Sequence, residues 1–156
     1  MKQQKDIKII VHHEILEKLI TCVKNASPYE ACGLIFGEIN EKEVENGFQY
    51  HYYGQMFECI ESTKKSTVSF LIDNIEELNE VYQIAARKYN KRLISIFHSH
   101  PGGAYPSGVD TSNMKHLNDF KAFRNLIWTI MSASNKKLNG FIYFNMEFFQ
   151  VKINKE

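Results

Sequence analysis

The apolar run Leu93 to Phe97 ends on His98-Ser99-His100, and the ten residues that follow hold most of the chain's backbone-restricting chemistry. Two of the three prolines, Pro101 and Pro106, fall in that window, together with Gly102, Gly103 and Gly108 out of eight glycines. A buried strand is therefore expected to deliver two histidines into a tightly turned loop. Loops of this kind on a rigid scaffold are where function concentrates.

The rest of the chain alternates strand and helix patterns. Ile7 to Val11 reads as a strand, followed by a helix with one stripe of Ile15, Leu16, Leu19, Ile20 and Val23 that Ser27-Pro28 ends. Ala31 to Phe36 is a continuous apolar run, expected as a strand buried on both faces. Over residues 43–61, Phe48, Tyr50 and Tyr52 alternate with Gln49, His51 and Tyr53, as in a strand or hairpin with one solvated side. Thr67 to Ile72 reads as a further strand. Asp73, with Glu76 three residues on, reads as the capping box of a second helix that buries Ile75, Leu78, Tyr82 and Ala85. A third helix is expected from the Ser107–Asp110 region to about Phe123, with Met114, Leu117 and Phe120 near one face. Asn125 to Met131 and two short strands around Asn145-Met146-Glu147 close the chain. This pattern predicts an α/β (α+β mixed) layered domain built on a mixed sheet.

Composition narrows the function classes. At 156 residues the expectation is one domain, residues 1–156, with 44% hydrophobic residues to fill a core. Nineteen Lys and Arg against eighteen Asp and Glu leave a net charge of +1, which argues against a broad nucleic-acid footprint. No apolar run is long enough to span a bilayer, and Met1 to Lys8 is polar, unlike a secretion signal. Cys22, Cys32 and Cys59 are odd in number and widely spaced, which reads as free thiols in a reducing cytoplasm and excludes a cysteine-built zinc site.

His98 and His100 lie two apart on a strand, so their imidazoles share a face and Ser99 points away. Asp110 follows after a turn able to fold back on that strand. Two imidazoles and a carboxylate are ligands zinc accepts, and a fourth position left for water makes such a site catalytic in kind. Each piece has a plainer reading. Ser107-x-x-Asp110 is also a capping box, and a chain with six histidines can contain H-x-H by chance. A helix start can hold both a ligand and a hydroxyl. Glu30 sits directly before an apolar run, an expensive place for an unused carboxylate, though it can equally be the last exposed residue before a buried strand. Cys32 lies inside that run, where a thiol is inert core. His12, His13, His51 and His116 lack spacing to a common partner.

His98-Ser99-His100-Pro101 followed by Pro106-Ser107-Gly108-Val109-Asp110 resembles the signature of the JAMM (MPN-plus) metalloproteases. Pro28-Tyr29-Glu30-Ala31-Cys32-Gly33-Leu34-Ile35-Phe36-Gly37 is similar to the segment carrying that family's catalytic glutamate. The likeness covers residues 7–150. It implies a curved mixed sheet flanked by helices, related to the cytidine deaminases. It also implies one zinc per chain on His98, His100 and Asp110, Glu30 as general base and acid, and Ser107 as an oxyanion stabiliser. The loop between His100 and Ser107 has six residues, one fewer than the family pattern usually has, while the Ser-x-x-Asp spacing is intact. No long insertion follows Asp110.

The resemblance implies a zinc peptidase or isopeptidase that acts on the C-terminal tail of a ubiquitin-like β-grasp protein or its conjugates in the cytoplasm. E1- and E2-like enzymes encoded nearby are the expected companions, with no nucleic acid and no membrane. A sulfur-carrier-protein peptidase that releases an amino acid is the alternative within this class. Relatives that lack the ligands and only assemble complexes make a non-catalytic MPN scaffold a second class, which the complete Glu-His-His-Asp set opposes. A zinc deaminase requires H-x-E followed by P-C-x-x-C, and no P-C-x-x-C occurs in this chain. A DNA-repair role of the related bacterial branch fits poorly with balanced charge and no appended helical DNA-binding module.

Overall fold

The computed structural model describes residues 1–60 and 74–156. Seven strands and three helices are described: β1 (Lys2–Val11), α1 (His13–Ala26), β2 (Cys32–Val44), β3 (Gly47–Ile60), α2 (Ile75–Tyr89), β4 (Arg92–His100), α3 (Gly108–Leu117), β5 (Ile127–Ser132), β6 (Leu138–Phe144) and β7 (Glu147–Lys155). A 3₁₀ turn at Lys121–Phe123 precedes β5. The expected strand Thr67 to Ile72 and the capping role of Asp73 lie outside the described residues.

The mixed sheet is more than curved. Its order is β1-β3-β2-β4-β5-β6-β7, and β1 also pairs with β7, so the strands close into a barrel. β1 runs parallel to both β3 and β7, β4 runs parallel to β5, and the remaining pairs are antiparallel. Closure removes the open sheet edges that invite pairing with other chains.

Two apolar layers follow from the strand alternation. Ile9, Ile35, Phe97 and Ile127 pack with Ile15, Leu19 and Val23 of α1, the stripe read from the sequence. Leu34, Phe36, Ile96 and Trp128 pack on the other side with Leu78 of α2 and Met114 and Leu117 of α3. Ile94 is an extra residue in β4, because Ser95 pairs with Ile35 and Leu93 with Phe36. That bulge sets the phase of everything downstream: Ile96 faces the α2–α3 side, as His98 and His100 do, while Phe97 and Ser99 face the α1 side.

Three expectations are corrected. β2 does not end near Phe36 but runs on to Val44, pairing with β3 from Cys32↔Ile60 to Val44↔Gly47. Its outer half is exposed, which the apolar pattern of its inner half could not announce. α3 ends at Leu117 rather than near Phe123, and Phe120 is exposed, stacking its edge on His116. Phe123 reaches the core through the 3₁₀ turn instead. Cys22 and Cys59 form a disulfide, leaving Cys32 as the free cysteine. They are 37 residues apart and meet because α1 docks against β3. The thiol argument for a reducing compartment falls with that bond. No helix among the described residues is long and apolar enough to cross a membrane.

Cross-linking residues separated by 37 positions removes loop entropy from the unfolded chain worth about 4 kcal/mol. Cys59→Ser, or reduction of the unaltered chain, should lower the unfolding free energy by roughly 2–4 kcal/mol, read from urea midpoints. Coincident curves with and without reductant would contradict the cross-link.

Candidate metal centre

Between its two end residues β4 is wholly buried, so it holds His98 and His100 on a stiff, sheet-paired backbone. The His98 ring is edge-on to Trp128, with centroids 5.8 Å apart. Across the Pro/Gly loop, Ser107 caps α3. Its Oγ accepts from the Asp110 N–H at 3.1 Å, and its own N–H donates to Asp110 Oδ2 at 2.9 Å. The capping box is present, and the same geometry leaves the Asp110 carboxylate where it could also serve a metal. The loop itself is pinned where Asn139 Nδ2 donates to the carbonyl of Ala104 at 2.9 Å.

Three ring and carboxylate atoms converge. His98 Nε2 and His100 Nε2 lie 3.1 Å apart, and Asp110 Oδ2 lies 3.2 Å from the first and 2.9 Å from the second. Tetrahedral ligands at zinc bond lengths stand roughly 3.3 Å from one another, so this triangle fits such an ion. The two imidazole nitrogens face each other as acceptors unless one carries a proton, an arrangement that suits a cation. The Nδ1 atom of His98 is buried with no partner among the described residues. His98 and Asp110 are almost fully covered, and His100 is partly open.

Burial by itself would raise the pKa of Asp110. Hydrogen bonds with His100 and His98, the charge of His98 and the Ser107 N–H outweigh it and hold the carboxyl far below its usual range. His100 is shifted upward, chiefly by its hydrogen bond to Asp110, against burial and with help from the charges of Asp110 and Glu30. Glu30 stands in the α1–β2 connection, its side chain 29% exposed, with Oε1 3.8 Å from His100 Nδ1. It is half-buried, between the two readings the sequence allowed. All five residues singled out from the sequence thus lie in one cluster.

Ser99, read only as pointing away, positions this cluster. Its buried Oγ accepts from the Ala31 N–H at 2.8 Å, and its N–H donates to the Ala31 carbonyl at 3.1 Å. β4 thereby fixes the residue next to Glu30. A serine between two histidines in an otherwise apolar strand was the available signal, as was Asn139 in the apolar run Leu138 to Phe141. Cys32, its thiol pushed up to about 12 by burial, is inert core as expected.

The family model for prokaryotic homologs of the JAB domain matches residues 12–144. The chain belongs to that family. It covers JAMM peptidases and non-catalytic members. The JAB fold is also that of two solved structures. A protein from Desulfitobacterium hafniense, known in solution, is 21% identical, with 95% of this chain and 94% of that one covered at a TM-score of 0.63. A JAB1/MPN domain protein from Archaeoglobus fulgidus is 16% identical, with 95% and 97% covered at a TM-score of 0.50. No curated protein matches the sequence.

The metal-free pair has a definite pH sign. The raised pKa of His100 stabilises the fold fully below the ordinary imidazole value of about 6.5 and loses that contribution as pH rises through the raised value. Metal binding runs the other way, because it needs the imidazoles neutral. Zinc affinity, titrated against a competing chelator, should fall steadily from about pH 7.5 to about pH 5.5, and His100→Ala should lose most of the metal. An affinity flat across that range, or full occupancy in His100→Ala, would remove His100 from the donor set.

Proposed function

We propose that this JAB-family chain is a zinc-dependent peptidase that cleaves the amide joining the C-terminal tail of a ubiquitin-like β-grasp protein to its leaving group. The observation that carries the reading is the convergence of His98, His100 and Asp110 with Glu30 beside them. When bound there by those three side chains, zinc supplies Lewis acidity and acidifies water.

The chain's own groups supply the rest. Glu30 is open enough to reach solvent and close enough to the triad to accept a proton from the attacking water. It then returns that proton to the leaving nitrogen. The Ser107 hydroxyl spends one lone pair on the Asp110 N–H and keeps its own proton to donate to the developing oxyanion. Ser99 holds Ala31, and through it Glu30, at a fixed distance from β4. The partners in this reading are a β-grasp protein or its conjugates, with activating and conjugating enzymes encoded nearby. Nucleic acid and membranes play no part in this reading.

One observation favours a second reading, removal of a single amino acid from a sulfur-carrier protein. A cavity of about 540 Å³ adjoins Glu30 on the Ser99 side, with Lys24 and Lys136 in its wall and, among the described residues, no carboxylate other than Glu30. The Lys24 ammonium suits the free carboxylate of a released amino acid, beside Lys136, whose Nζ donates to the Ala133 carbonyl.

Glu30→Gln keeps the shape of the side chain and removes the base. Cleavage of a β-grasp fusion should fall about 10²–10⁴-fold while zinc content and folding persist. Asp110→Asn should lose zinc along with turnover. Near-normal cleavage by Glu30→Gln would mean that another group activates the water. Lys24→Ala that slows release of a single amino acid but spares an isopeptide substrate would select the second reading.

A further inference from the structure

A second cavity, of about 420 Å³, lies at the opposite end of β4 from the histidines. Arg92 opens β4 there and His100 closes it, so the two sites stand roughly 26 Å apart along one strand. Among the described residues the cavity wall carries three cationic side chains, Arg92, Lys121 and Arg124, and no carboxylate. None of the three has an ion pair among the described residues; the lysines that do are Lys2, Lys88 and Lys91. Among the described residues Arg124 bonds through its Nε alone, to the Asn118 carbonyl at 3.1 Å, which leaves its terminal nitrogens for a ligand. In a chain of net charge +1, three like charges gathered around one concavity cost repulsion that an anion relieves.

The remainder of the wall is apolar. Ile39 and Leu126 line it, and the Tyr82 ring is set by an edge contact with Phe123 at 5.7 Å between centroids. The rim is rigid as well. Asn125 adopts the left-handed conformation at φ 58°, and its carbonyl accepts from the Tyr52 hydroxyl at 3.0 Å. The volume falls within the range of small-molecule sites.

From this juxtaposition we propose that the cavity binds an organic phosphate, its phosphoryl oxygens on Arg92, Lys121 and Arg124 and its ring or apolar body against Tyr82. Guanidinium groups match phosphate oxygens in pairs, and a neighbouring aromatic face favours a planar ligand over a bare anion. The site is independent of the metal centre and of the activity proposed for it.

The test uses the full chain, with ATP, inorganic triphosphate and a short single-stranded oligonucleotide as probes, followed by calorimetry and amide NMR shifts. ATP should bind more tightly than triphosphate, with shifts centred on Arg92 and residues 121–126. Arg92→Ala and Lys121→Ala should each weaken ATP by roughly tenfold, and Tyr82→Leu should erase the preference for ATP over triphosphate. Asp110→Asn, which disables the metal centre, should leave ATP affinity unchanged. Equal affinity for ATP and triphosphate would overturn the apolar half of the assignment. No ATP binding in the millimolar range, ATP shifts confined to His98 and His100, or tighter capture of the oligonucleotide through the same arginines would overturn the site as an organic-phosphate pocket.

Discussion

Much of the site turns on a single oxygen. Asp110 Oδ2 meets the Ser107 N–H, His98 Nε2 and His100 Nε2 at 2.9–3.2 Å, tying the start of α3 to the end of β4. The carboxylate is buried, so it is tolerable only because those partners answer it. Without the cap, α3 would begin with its first amides unsatisfied, and without the histidines Asp110 would be an uncompensated buried charge. Helix initiation and the placement of this carboxylate beside the two histidines are one interaction here, which explains how the Pro/Gly loop ends in a defined geometry.

The barrel serves that interaction. β4 pairs with β2 on one side and β5 on the other, so the histidines sit on a strand with no freedom to slide. The bulge at Ile94 sets which face they occupy. Glu30 arrives from a different direction, at the end of the α1–β2 connection, and Ser99 on the opposite face of the same strand holds its neighbour Ala31. Both faces of β4 therefore contribute, one by presenting the two imidazoles and the other by anchoring the connection that carries Glu30. The disulfide between Cys22 and Cys59 reinforces this arrangement, since α1 leads into the Glu30 connection and Cys59 pairs with Gly33 across the sheet.

The sequence was most informative where a short-range rule decides the outcome. Strand alternation put His98 and His100 together, the Ser-x-x-Asp spacing announced the cap, and the stripe on α1 named its buried face. What escaped were features made by contacts distant in the chain. Lys2 pairs with Phe149, and no local pattern encodes the closure that this pairing completes. Cys22 finds Cys59 only after α1 has docked. The end of α3 is hidden because Phe120 and Phe123 continue an apolar spacing that the backbone abandons after Leu117. Strand alternation gives the direction of Ser99 but not its role, since its partner Ala31 lies 68 residues away.

X-ray absorption at the zinc edge, on the full chain loaded with one equivalent of metal, tests the centre most directly. A four-coordinate shell of nitrogen and oxygen at roughly 2.0–2.1 Å is expected, with the multiple-scattering signature of two imidazoles and no sulfur. A shell containing sulfur at roughly 2.3 Å, or a spectrum of hydrated zinc alone, would contradict it.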